Sequence, residues 1–182
     1  MKSKTFRLAP RRNEITKAIA LHRAGRLEDA GRLYEQILAA DPGNASAWHF
    51  LGVVYHQMGN SDAAVAAITR ALELDPRYAD AYNNLGNIYR ETNQYDAALP
   101  AYERAVEIAP RHADAWSNIG VMRRGRGEYA AAEQASERAL EIDPAHGATW
   151  QNRGRLAARV NELDASIAAF RRAIELKPGD TV

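Results

Sequence analysis

"AWHFLGVVYHQMGN", residues 47–60, has three counterparts further along the chain: "AYNNLGNIYRETNQ" at 81–94, "AWSNIGVMRRGRGE" at 115–128 and "TWQNRGRLAARVNE" at 149–162. The starts are 34 residues apart each time. The other half of each unit keeps the same period through Ala64, Ala98 and Ala132, then Ala71, Ala105, Ala139 and Ala173. Pro42, Pro76, Pro110, Pro144 and Pro178 close the units. Counted from a unit's first residue, apolar residues at positions 4, 7, 8 and 11 share one face at about 100° per residue, and positions 20, 24, 27 and 28 do so again. Each unit therefore predicts two amphipathic helices. Small residues at positions 8 and 20, such as Gly86 with Ala98, let the two approach closely, and the proline at position 32 ends the second. A hairpin of this size cannot bury its own apolar face, so the units must stack on one another.

Trp48, Leu51, Gly52, Tyr55, Gly59, Ala64, Ala71 and Pro76 together fill nearly the whole pattern of the tetratricopeptide repeat (TPR) family, which this sequence resembles. The resemblance covers five units, 11–44, 45–78, 79–112, 113–146 and 147–180, behind a basic tail at 1–10. It implies an all-α fold, a right-handed superhelix or α-solenoid of ten helices in five helix-turn-helix repeats. The first unit departs from the pattern, with Lys17 and Ala18 where Leu-Gly would sit, and the fifth has Arg153 and Ala157 where the third has Leu85 and Tyr89. The last apolar face, Ile167, Phe170 and Ile174, has no following repeat to cover it. Two alternatives stand: the chain is a piece of a longer protein, or it self-associates through this end.

At 46% apolar and 26% charged residues, the 182-residue chain has the composition of a soluble, foldable protein. It contains no cysteine, which removes disulfides, thiolate metal sites and thiol chemistry and agrees with the expected cytoplasmic location. The opening "MKSKTFRLAP" is basic but no apolar run follows it, and nothing approaches the ~20 apolar residues of a membrane span. Of the 24 basic residues, Lys2, Lys4, Arg7, Arg11 and Arg12 lie in the first twelve, leaving nineteen against twenty-three acids and a balance of −4 for the rest. A mildly acidic body argues against nucleic acid as the partner.

No enzyme signature is present. Gly52, Gly86, Gly120 and Gly154 belong to helix packing rather than to a phosphate loop, and there is no GxSxG nucleophile motif. His49 and His56, seven residues apart on one helix, are separated by about 10.5 Å along its axis, too far to share an ion. No catalytic residue, cofactor or metal is expected.

Asparagine, a poor helix former, recurs at position 6 as Asn84, Asn118 and Asn152, with Phe50 and Thr16 in the first two units. Position 6 points about 150° away from the core direction, and the resemblance places that side of the first helix on the concave groove of a TPR array. A primary amide can donate to and accept from the backbone of an extended chain. The ladder is similar to the asparagines that hold the substrate peptide in the TPR superhelix of O-linked N-acetylglucosamine transferases, and Asp80 and Asp114 match that family's groove acids. Asn83, Asn87, His49 and Phe50 flank the ladder, while Arg90, Arg124 and Arg155 make the face basic enough to prefer an acidic segment. The carboxylate clamp of chaperone-binding TPR proteins is absent: its lysine position is Asn83, and its later basic positions are Ala148 and Asn152. The expected function is a non-catalytic protein-protein interaction scaffold binding an extended peptide in its concave groove. The alternative is the substrate-recruiting TPR region of a larger enzyme, such as a glycosyltransferase resembling the O-linked N-acetylglucosamine transferases.

Overall fold

The structure, a computed structural model, describes residues 9–176, with side chains from Glu14 onward. Lys2, Lys4, Arg7 and Pro178, with the side chains of Arg11 and Arg12, lie outside the described residues. Those residues form ten α-helices and no strand: α1 Ala9–Arg23, α2 Leu27–Ala40, α3 Ala45–Gln57, α4 Ser61–Leu74, α5 Ala79–Glu91, α6 Tyr95–Ile108, α7 Ala113–Gly125, α8 Tyr129–Ile142, α9 Gly147–Arg159 and α10 Leu163–Glu175. The chain divides into two compact units, Met1–Thr92 and Asn93–Val182, at the connection between α5 and α6. In the first, hairpins α1–α2 and α3–α4 stack, and α5 packs on α4 and α3. In the second, α6 packs on α7, hairpins α7–α8 and α9–α10 stack, and α9 touches α7.

Local chemistry explains the regularity. The turn inside each hairpin needs a left-handed residue at position 15, supplied by Gly25, Gly59 and Gly127 at φ +72°, +80° and +78° and by Asn93 and Asn161 at +60° and +65°. Asparagine is the side chain that tolerates this region at least cost after glycine. Position 34 starts the following helix: Asn44 Oδ1 accepts from the Ala47 amide at 3.0 Å, and His112 and His146 use Nδ1 to accept from the Ala115 and Thr149 amides, both at 3.3 Å. His112 and His146 are therefore helix caps. Trp48, Trp116 and Trp150 each donate the indole N–H to the carbonyl of the proline six residues earlier, Pro42, Pro110 and Pro144, all at 3.0 Å. Two recurring sequence signals, the tryptophan and the proline, are thus halves of one hydrogen bond.

The position-8 glycines sit where helices cross. A Cβ on Gly52 would lie 2.5 Å from Ile68 Cγ1 and 3.0 Å from the Ala64 carbonyl oxygen, and one on Gly120 would meet the Ala132 carbonyl oxygen at 3.2 Å. The first unit's core runs from Ala30, Tyr34, Ile37, Leu51 and Val54 to Ile68, Leu85 and Ile88. The fifth repeat is thinner. Arg153, in place of leucine, pairs with Glu133 and lies over the Trp150 ring at 5.6 Å, and Ala157, in place of tyrosine, leaves a cleft of about 640 Å³ beside Tyr129, Trp150 and Leu156. On α10, Ile167, Phe170 and Ile174 are 42, 36 and 67% exposed, the face that a following repeat would cover.

Candidate functional site

The first helices of the hairpins carry the residues singled out above. In the first unit α3 and α5 lie side by side, and position 5 of one meets position 6 of the next: Asn84 Nδ2 is 2.7 Å from His49 Nε2. His49 Nδ1 is 2.9 Å from the Tyr78 hydroxyl. The set is self-consistent when Nε2 accepts from the amide and Nδ1–H donates to the tyrosine oxygen. Burial holds His49 neutral, its pKa pushed down to about 4, with Asp80 opposing the shift only weakly. Burial likewise pushes the Tyr78 hydroxyl up.

His49 is only 4% exposed and Asn83 only 7%, so the structure removes both from the peptide-facing set. Phe50 is half-buried and stacks on fully buried Tyr34 with ring centroids 5.9 Å apart and 14° between planes. His49 is covered by Tyr78 and Asn84 of the neighbouring repeat, a contact that the wheel of a single helix does not register.

Asn84 and Asn87 remain half-exposed and line a cavity of about 320 Å³, floored by Ile68 and Ile88 and rimmed by His56, Gln57 and Glu91. His56 Nε2 pairs with Glu91 at 3.0 Å, while its Nδ1 is buried without a hydrogen-bond partner among the described residues. Asn84 uses its nitrogen on His49 and keeps its carbonyl oxygen for another donor. His56, Gln57 and Glu91 were not expected at the site. The signal that marks them is the period itself, since position 12 meets position 13 of the next repeat, as His22 meets Gln57 at 2.9 Å.

In the second unit the same register gives Asn152 Nδ2 donating to Ser117 Oγ at 3.2 Å, with Arg155 Nη1 donating to Asn152 Oδ1 at 3.3 Å. The Asn152 amide is thus occupied at both ends, and Asn118 on α7 is half-exposed and has contacts of its own. Asp80 and Asp114 stand exposed in the first turns of α5 and α7, where negative charge suits the helix dipole. Asp114 accepts from His146 Nε2 at 2.9 Å; the pair lowers the pKa of Asp114 and raises that of His146. Arg90 is within 3.5 Å of Glu91, whereas Arg124 and Arg155 have no carboxylate partner among the described residues.

Among the described residues no three histidine or carboxylate side chains converge as a metal site, and no helix is long and apolar enough to cross a membrane. What the faces offer is amide, imidazole and guanidinium groups at the edges of shallow apolar cavities.

No curated protein matches the sequence. Among solved structures, a crystal structure of MamA is 27% identical, covering 88% of this chain and 94% of that one with a TM-score of 0.73. YrrB, described as a TPR protein with an unusual peptide-binding site, is 25% identical, covering 92% and 86% with a TM-score of 0.68. The pilF protein of Pseudomonas aeruginosa, at 21% identity, covers 94% and 78% with a TM-score of 0.84 and shares the fold. Profiles described as tetratricopeptide repeat match residues 14–54, 43–111, 83–147 and 123–181. With hairpins, turn residues and close-approach glycines all in that register, the chain belongs to the tetratricopeptide repeat family.

Proposed function

We propose that this protein is a non-catalytic interaction scaffold that binds an extended segment of a partner protein along the faces of its first helices. The observation that carries the reading is the cavity between α3 and α5. It is large enough for one side chain, its floor is Ile68 and Ile88, and its rim holds polar groups without internal partners, the Asn84 carbonyl and His56 Nδ1. A peptide amide can donate to the first while a side chain enters the cavity. A peptide ligand is in keeping with YrrB, a similar array described as having an unusual peptide-binding site.

The test separates the cavity from the amide. Val53→Trp, on the cavity wall, fills the space and leaves Asn84 untouched. Ligands selected from a neutral random-peptide library by the intact chain are measured by fluorescence anisotropy against the parent, Val53→Trp and Asn84→Ala. A drop of about tenfold or more in both variants, with helical circular dichroism preserved, is the expected result. Equal affinity in both folded variants overturns the reading.

A further inference from the structure

Most arginines of the second unit are matched to acids. Arg123 pairs with Glu103 and Glu128 at 2.6 and 2.5 Å, Arg126 with Asp96 at 3.2 Å, and Arg153 with Glu133. Of the five arginines without such a partner among the described residues, Arg111 and Arg171 stand apart and three lie on the first helices of adjacent repeats. Arg124 on α7 and Arg155 and Arg159 on α9 have no carboxylate within ion-pair distance among the described residues. Among the described residues Arg124 Nε is buried without a hydrogen-bond partner, and Arg159 makes a long contact, Nε to the Tyr129 hydroxyl at 3.4 Å.

Repeat register makes this more than a surplus of charge. Position 12 faces position 13 of the next repeat, and in the first unit each such pair is complementary: His22 with Gln57 at 2.9 Å, His56 with Glu91 at 3.0 Å. In the second unit the same two positions are Arg124 and Arg159, again 35 residues apart. Two like charges stand where the first unit places a bonded pair. Their repulsion, and the unfilled Nε, are both relieved by one anion placed between them. Asn152, Arg155 and Arg159 follow at three- and four-residue spacing along α9, one stripe about 10 Å long, which an extended chain spans in roughly three residues.

We infer that Arg124 and Arg159, with Arg155 one turn away, seat an acidic side chain of the bound segment, so that the partner's peptide carries glutamate or aspartate in the stretch crossing α7 and α9. The inference rests on the peptide-binding reading and adds its chemistry. The carboxylate forms charge-assisted bonds to both guanidinium groups and takes the missing acceptor role at Arg124 Nε. A nucleic acid is the poorer match, because the chain outside its first twelve residues carries a balance of −4.

The test uses the full chain and fluorescein-labelled hexaglutamate, with labelled hexaglutamine and a short oligothymidylate as comparisons, read by anisotropy at low and physiological ionic strength. Hexaglutamate should bind and hexaglutamine should not. Arg124→Gln with Arg159→Gln should weaken hexaglutamate by about tenfold, and Arg171→Gln, an exposed arginine on α10, should leave it unchanged. Absent binding of hexaglutamate, equal binding by the double variant, or preference for oligothymidylate through the same arginines each overturns the inference. The Val53→Trp experiment uses neutral ligands and alters only the first unit of the intact chain, so either reading can fail while the other stands.

Discussion

Replacing Gly52 by alanine sets two effects of known size against each other. In an exposed helix the change gains about 1 kcal/mol of backbone propensity. At this crossing the new methyl would stand 2.5 Å from Ile68 Cγ1 and 3.0 Å from the Ala64 carbonyl oxygen, whereas carbon atoms settle at roughly 3.5–4.0 Å. Ile68 and Ala64 are both 0% exposed, so neither can swing aside, and α3 and α4 must part by about 1 Å. Overpacking of this kind costs about 1–3 kcal/mol, and a contact this short against backbone belongs at the upper end. The net expectation is a loss of about 2 kcal/mol, or a fall in Tm of about 4–8 °C for a chain of this size. Urea and thermal unfolding followed by circular dichroism measure it, with Gly125→Ala as reference, since nothing lies within 4 Å of a Cβ there. The reference should be neutral or gain up to about 1 kcal/mol. If Gly52→Ala is as stable as the parent, the close crossing inferred at position 8 is wrong.

Acid should destabilise the first unit through His49. Its pKa is depressed to about 4, below the unfolded value, so the stabilisation from keeping it neutral is present above pH 6.5 and lost as pH falls toward 4. The shift corresponds to about 3 kcal/mol across that window. His49→Asn, the residue found at the equivalent buried position 83, should remove that part of the pH dependence in urea titrations, and an unchanged slope would contradict the buried neutral imidazole. His146 acts in the opposite sense but is common to both proteins. Ala157→Tyr should stabilise by about 1 kcal/mol by filling part of the cleft of about 640 Å³. Tyr55, at the same repeat position, bonds Glu35 twenty residues earlier at 2.9 Å, and Glu137 stands twenty residues before Ala157. A loss of stability in this variant would show that the cleft cannot accept the ring.

The helical hairpins were legible because their signals are local and repeated. Gly52 facing Ala64 constrains atoms inside one unit, the tryptophan at position 4 and the preceding proline six residues away constrain one short stretch of chain, and several units say the same thing. The site was legible only in part. Rotation about one helix axis separates outward from inward positions, and it found Asn84 and Asn87. It could not show that His49 at position 5 is covered by the neighbouring first helix α5, nor that Asn84 uses half of its amide on that neighbour. Nor could it show that Phe50 stacks on Tyr34 of the preceding repeat. Pairings between residues 35 apart depend on the packing of two helices, and only coordinates, or the position-12-to-13 rule they reveal, expose them.

The indole bonds to Pro42, Pro110 and Pro144 give the molecule a built-in set of optical probes. The chain's three tryptophans, Trp48, Trp116 and Trp150, all occupy the same repeat position and donate to the same kind of carbonyl at the same distance. Trp48 and Trp116 should therefore begin with similar emission, Trp150 being set apart by Arg153 over its ring, and all three should change as separate repeats open. Single-tryptophan variants would turn unfolding into a position-resolved readout, with Trp48 reporting on the first unit and the other two on the second, without any attached dye.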